Sequence, residues 1–305
     1  MPLYSKAKEK EQKMRIIRNH LFLTYFLIWS TSLNGQDELV IEKDIDIGLQ
    51  QMHYCIIGNG SPTLVLDVGI GNTYRDWLPF LKRIGEKVRI FCYNRAGYGQ
   101  SEIGKMPRDS KTEADELKLL LDKANIKGPF ILLGHSLGAL NLQLFASKYK
   151  EDISGILLLD PPPLEWILGN GFPQMRKLAE KTTNNFKNIS ESLINSNNKN
   201  DRQKSDFFKT LASEHRNMFS NSAKQVEAIT SFGEKRLIVI ASGKANPEMG
   251  KEAKEFQKFW NDQCKKLASK SKNGEYILAS ESGHQIQNDN PEIVLKALKE
   301  LLLKK

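Results

Sequence analysis

Pro129-Phe130-Ile131-Leu132-Leu133-Gly134-His135-Ser136-Leu137-Gly138, followed at once by Ala139 to Lys150, is the stretch that decides how this chain is read. A short apolar run of strand length stops at a tight turn, and Leu140, Leu144 and Phe145 then recur at helical spacing. The turn has the spacing G-x-S-x-G, which suits a serine carried on a sharp, strained bend between a strand and a helix. Gly134 and Gly138 stand where side chains would collide as the two elements approach, and Ser136 is left projecting toward any substrate. A turn that merely needs small residues would not require the apolar run before it and the helical periodicity after it.

Working outward, Val40 to Gly58 reads as paired strands with Asn59 to Pro62 as a turn. Thr63 to Val68 is a buried strand that ends on Gly69-Ile70-Gly71-Asn72. A helix is expected around Trp77 to Ile84, a strand at Val88 to Tyr93, and a loop at Asn94 to Ser101. A further helix is expected from Lys111 to Ala124 with Ser110 as its N-cap. After the turn, Ile153 to Leu159 is another buried strand, closed by Asp160-Pro161-Pro162-Pro163. Strands alternating with helices imply right-handed crossovers and a mostly parallel central sheet with helices on both faces.

Residues 161–235 break that rhythm: they are helix-prone, rich in Lys and Asn, contain a polar loop at Asn195 to Lys204, and carry Trp166, Phe172, Phe207, Phe208 and Phe219. They read as a helical cap inserted into a core made of 36–160 and 236–305. Arg236 to Ala241 restores a strand, a long helix is expected from Pro247 to Ser269, Tyr276 to Ser280 is a last strand, and Pro291 to Leu303 a closing helix.

A serine hydroxyl needs a base within hydrogen-bond reach to act as a nucleophile near neutral pH. Of the five histidines, only His284 lies in a loop after a late buried strand, and in a parallel sheet such loops gather at the strands' carboxyl ends, beside Ser136. His53 and His215 read as structural. The oxyanion of an acyl-transfer intermediate needs backbone N–H donors, for which Leu137, after the serine, and Ile70, in the glycine loop, are the candidates.

Taken together, Val68-Gly69-Ile70-Gly71, Asn94-Arg95-Ala96-Gly97-Tyr98-Gly99, Gly134 to Gly138 and Ser282-Gly283-His284 resemble the α/β-hydrolase fold superfamily over residues 40–304, with the lipase- and esterase-like bacterial members nearest. The resemblance implies Ser136 as nucleophile, His284 as base, and Ile70 and Leu137 as oxyanion donors. Many members have His-Gly where Val68-Gly69 stands and Asp-Arg where Asn94-Arg95 stands. In the usual place of the acid, Gly243-Lys244-Ala245-Asn246 puts an amide, which leaves Asp160 as the carboxylate at the other position the family uses and Glu248 as its competitor. The implied function is hydrolysis of a carboxylic ester, thioester or amide through an acyl-enzyme, without cofactor or metal. The rivals are a non-catalytic binding protein of the same fold and a cofactor-free peroxidase-like activity of the same triad.

The formal charge of +9 is partly a property of residues 1–35, where six Lys and Arg face two Glu; the rest is spread, and no nucleic-acid motif accompanies it. Cys55, Cys92 and Cys264 make neither a disulfide framework nor a metal spacing. Leu21 to Trp29 is an apolar run too short to span a bilayer, with basic residues before it and Ser30, Thr31, Ser32 and Gly35 after it. Residues 1–35 therefore read as a cleaved signal peptide, the mature protein as exported without a stable membrane span, and its partner as a small acyl substrate. N-terminal sequencing of exported protein is expected to begin near Gln36; a start at or before Met14 would overturn this.

Overall fold

The computed structural model describes residues 40–85 and 88–303, so the expected export signal at 1–35 lies outside the described residues. Eight strands form its sheet: β1 (Val40–Asp46), β2 (Gln51–Ile57), β3 (Thr63–Asp67), β4 (Arg89–Tyr93), β5 (Phe130–His135), β6 (Ile153–Leu159), β7 (Arg236–Ser242) and β8 (Gly274–Ala279). Their order is β1-β2-β4-β3-β5-β6-β7-β8. β1, β2 and β4 pair antiparallel, and every pairing from β4 through β8 is parallel. From β3 the chain crosses to β4 on one side and then to β5 on the other, and that reversal opens a crevice at the carboxyl ends of β3 and β5.

The central strands are continuous apolar runs because helices cover both faces. Val65, Leu132, Leu158 and Val239 point to one face, where they meet Leu117, Leu121, Leu142 and Phe145 from the helices Ser110–Lys123 and Leu137–Lys148. Leu66, Leu133, Leu157 and Ile240 point to the other, against Trp77, Phe80, Val294 and Leu298. The two-residue period of a strand thus feeds two separate cores from each run. Cys55, Cys92 and Cys264 are free and buried, packed as small apolar groups.

Between β6 and β7 stand the helices Leu164–Ile167, Pro173–Leu193, Lys199–Met218 and Asn221–Glu227. Three local expectations need correction. The helix expected from Pro247 to Ser269 is α-helical only over Ala253–Ala268, because Gly250 at φ 70° kinks the chain before it. The cap of the helix Ser110–Lys123 is Asp109, whose carboxylate accepts from Thr112 N at 2.9 Å, while the expected cap Ser110 is the first helical residue. A carboxylate is also better matched than a hydroxyl to the positive end of the helix dipole. The polar stretch Asn195 to Lys204 is not all loop: Asn198 accepts from Asn200 N and starts a helix at Lys199, so polarity there marks a solvated helix face.

His53 and His215 are satisfied structurally. His53 lies 2.6 Å from Asp44 and 3.0 Å from the Tyr74 hydroxyl. His215 sits 2.7 Å from Thr183 Oγ1 and edge-on to Phe186 and Phe219, where burial pushes its pKa down from 6.5 to about 4. The unfolded chain therefore takes up this proton first, so the stability His215 contributes above pH 6.5 is lost as the pH falls through about 4. Replacing His215 by Gln should shrink the fall in thermal midpoint between pH 7 and pH 4; an undiminished fall would contradict this.

Candidate active site

Ser136 has φ 51° and ψ −120°, a conformation that side-chain-bearing residues rarely adopt. Two glycines make the bend possible. A Cβ at Gly138 would lie 2.2 Å from the carbonyl oxygen of Asp67, and one at Gly134 would lie 2.7 Å from Ala139 Cα. The Ser136 N–H donates to Leu159 O at 3.0 Å, which ties the turn to the end of β6. These contacts bring the first turn of the helix Leu137–Lys148 against the exit of β3.

His284 Nδ1 lies 2.6 Å from Asp160 Oδ2, and the Asp160 side chain is 3% exposed while that of His284 is 43% exposed. β6 delivers Asp160, whose own φ is 45°, and the Asp160 N–H donates to Ile240 O at 2.8 Å on β7. Its carboxylate also accepts from Ser242 N and Ser242 Oγ, each at 2.9 Å. Gln257 in turn donates to the Ser242 carbonyl at 2.8 Å. A carboxylate so surrounded by donors is held in one orientation. Ser242 and Gln257 escaped the sequence reading because nothing local marks a serine ending a strand as the support of an acid on the neighbouring strand.

The His284 loop is fixed by its neighbours. The Gly243 and Lys244 N–H groups, leaving β7, both donate to Ser282 O at 3.0 Å, and a Cβ at Gly243 would lie 2.4 Å from Ser280 Cα. His135 Nε2 donates to the His284 carbonyl at 2.9 Å, and the two rings lie 4.7 Å apart. Burial drives the His135 pKa down to about 3, so this ring is neutral beside the site. Trp260 stands edge-on to His284 with centroids 5.9 Å apart.

Ile70 and Leu137 belong to one apolar cluster with Trp166, Phe172, Phe219, Phe256 and Trp260. The Gly69 backbone lies against the serine, since a Cβ there would be 3.3 Å from Ser136 Cβ. All five residues named from the sequence, Ser136, Asp160, His284, Ile70 and Leu137, therefore lie on turns at the carboxyl ends of β3, β5, β6 and β8 or, for Leu137, at the start of the helix that follows. The side chain of Glu248 lies outside the described residues. Among the described residues, no group of three or more His, Cys, Asp or Glu side chains is arranged to hold a metal ion, and no helix is long and apolar enough to cross a membrane.

A family model described as alpha/beta hydrolase fold matches residues 62–189. Among known proteins, YqjL of Bacillus subtilis (strain 168), itself uncharacterized, is 28% identical over 242 residues, covering 79% of this chain and 83% of its own. Among solved structures, a thermophilic esterase from Thermogutta terrifontis is similar over 85% of this chain and 98% of its own, with a TM-score of 0.60 at 15% identity. The Cif epoxide hydrolase from Acinetobacter nosocomialis is similar over 87% and 89%, with a TM-score of 0.60 at 15% identity. At such identities the structural likeness speaks for the fold.

Proposed function

We propose that this chain, which has the α/β-hydrolase fold, is a serine hydrolase that cleaves a carboxylic ester, or a thioester or amide, through an acyl-enzyme. The observation that carries the reading is the 2.6 Å hydrogen bond between the buried Asp160 carboxylate and His284, on turns flanking a serine bent to φ 51°. Its geometry answers to general-base catalysis: Asp160 fixes the tautomer with the proton on Nδ1, leaving Nε2 free to receive one.

In this reading Nε2 of His284 takes the Ser136 proton as Oγ attacks the acyl carbon. The carbonyl π pair moves to oxygen, where the N–H groups of Ile70 and Leu137 stabilise the charge. Collapse of the intermediate breaks the bond to the leaving group, which departs with the proton from His284. Water then attacks the acyl-enzyme by the same route and releases the acid and free Ser136. The ion pair of protonated His284 with Asp160 is worth most where Asp160 is buried, because little water screens it there. The apolar cluster around Ile70 and Leu137 suits an apolar acyl group. Ser136 at the nucleophile position weighs against epoxide-hydrolase chemistry, which in this superfamily uses Asp there.

Hydrolysis of p-nitrophenyl butyrate, with a burst of p-nitrophenol matching the enzyme concentration, is the expected behaviour of the wild type. Ser136→Ala should remove both while leaving the thermal midpoint within a few degrees, since one turn hydroxyl adds little to packing. Asp160→Asn should lower turnover roughly 10³- to 10⁴-fold, the scale seen when a triad carboxylate becomes an amide, and Glu248→Gln by less than about tenfold. Turnover near wild type in Ser136→Ala would refute the proposal, and collapse in Glu248→Gln with a normal Asp160→Asn would move the acid to the later loop.

A further inference from the structure

Ile70 sits in a stretch with a glycine on either side, Gly69-Ile70-Gly71, so the direction of its N–H is not set by any strand or helix. Something else has to hold it. The Gly69 carbonyl and the Ile70 N–H belong to one planar trans peptide and point in opposite directions, so fixing the first aims the second. The Asn72 N–H closes a turn on Gly69 O at 3.3 Å, and Arg95 clamps that turn to the core: its Nη2 donates to the same Gly69 O at 3.2 Å, and its Nη1 donates to Val68 O and to Asp67 Oδ1, both at 2.6 Å. Beyond Ile70, the Gly71 N–H donates to the Tyr98 hydroxyl at 3.2 Å. The loop is thereby pinned on both sides of the donor.

Both pins converge on one carboxylate. Glu214 Oε1 accepts from Arg95 Nε at 2.8 Å, and its Oε2 accepts from the Tyr98 hydroxyl. The Arg95 guanidinium also lies 4.7 Å from the centre of the Tyr98 ring. The Glu214 and Arg95 side chains are each 1% exposed, so no water can replace either partner. Glu214 is carried by the helix Lys199–Met218, in the segment inserted between β6 and β7. That helix fits closely over the Arg95 loop, where a Cβ at Gly97 would lie 2.2 Å from Thr210 Oγ1, and Phe207 packs edge-on to Tyr98.

Resting on the serine-hydrolase reading, we infer that Glu214 is a positioning residue for the oxyanion loop: through Arg95 and Tyr98 it aims the Ile70 N–H, and it makes that aim depend on the seating of the inserted helix. Without Glu214, Arg95 keeps Asp67 but loses the acceptor that fixes its Nε edge, and the Tyr98 hydroxyl loses the group that orients its lone pairs toward Gly71. A looser loop weakens stabilisation of the tetrahedral intermediate and leaves ground-state binding of the acyl group alone.

The test uses the full chain with p-nitrophenyl butyrate as substrate and an alkyl trifluoromethyl ketone, which forms a tetrahedral adduct with an active serine. Glu214→Ala is expected to lower kcat by about 10² with KM within about twofold, the pattern of a contact felt only in the transition state. Affinity for the ketone should fall by the same factor, and Glu214→Gln, which keeps an acceptor for Arg95, should recover most of both. Should Glu214→Ala fail to fold, Tyr98→Phe decides, with an expected loss of about tenfold in kcat and in ketone affinity at unchanged KM. A folded Glu214→Ala, or failing that Tyr98→Phe, with kcat and ketone affinity within about twofold of wild type, or with KM raised and kcat unchanged, would overturn the inference. Wild-type protein that neither hydrolyses the ester nor binds the ketone would instead bring down the serine-hydrolase reading itself.

Discussion

The rest of the molecule is arranged around the approach of Gly138 to the carbonyl of Asp67, where a single added carbon would lie 2.2 Å from oxygen. That proximity lets the elbow helix begin directly against the exit of β3, and it bends Ser136 into a backbone conformation that costs of order 1 to 3 kcal/mol. The surrounding structure holds the strain in place: β5 lies between β3 and β6, with Leu132, Leu133, Leu157 and Leu158 fully buried. The same contact sets the start of the helix at Leu137 against the end of β3, and the Gly69 backbone lies beside Ser136, where an added Cβ would be 3.3 Å from the serine Cβ. A larger residue at 138 would push the Ser136 turn and the exit of β3 apart.

A second constraint is electrical. Arg95 and Arg108 are buried with the carboxylates of Asp67, Glu113, Glu116 and Glu214. Four acids against two cations leave the cluster short of positive charge, and burial, opposed by Arg108, pushes the Glu113 pKa up to about 8. Buried ion pairs of this kind add little net stability, because desolvation offsets much of their attraction; what they fix is geometry. Here the geometry fixed is that of the Val68 to Gly71 loop and the seat of the inserted helix above it.

Much of this was legible in the chain. The elbow could be read because strand, turn and helix are local patterns, and His284 because loops after parallel strands share one edge of the sheet. Asp160 was legible at the end of an apolar run, and the structure brings it to His284. The supports were not. Arg95 and Glu214 are 119 positions apart, and Ser242 and Asp160 82, so nothing periodic links them. In the sequence Asn94-Arg95 stands out only as a departure from a family pattern, although Arg95 is the side chain that donates to the Val68 and Gly69 carbonyls. The misplaced cap at Ser110 and the helix starting at Lys199 are ordinary ambiguities of short polar residues, which serve caps, loops and solvated helix faces alike.

The proposed serine-hydrolase activity rests on Ser136 forming a covalent acyl intermediate. Its most direct measurement is the intact mass of the protein after exposure to a fluorophosphonate, followed by peptide mapping. One adduct per chain is expected, on the peptide containing Ser136, formed faster than free serine reacts and blocked by prior binding of the trifluoromethyl ketone. No adduct, or an adduct on another residue with Ser136 unmodified, would contradict it.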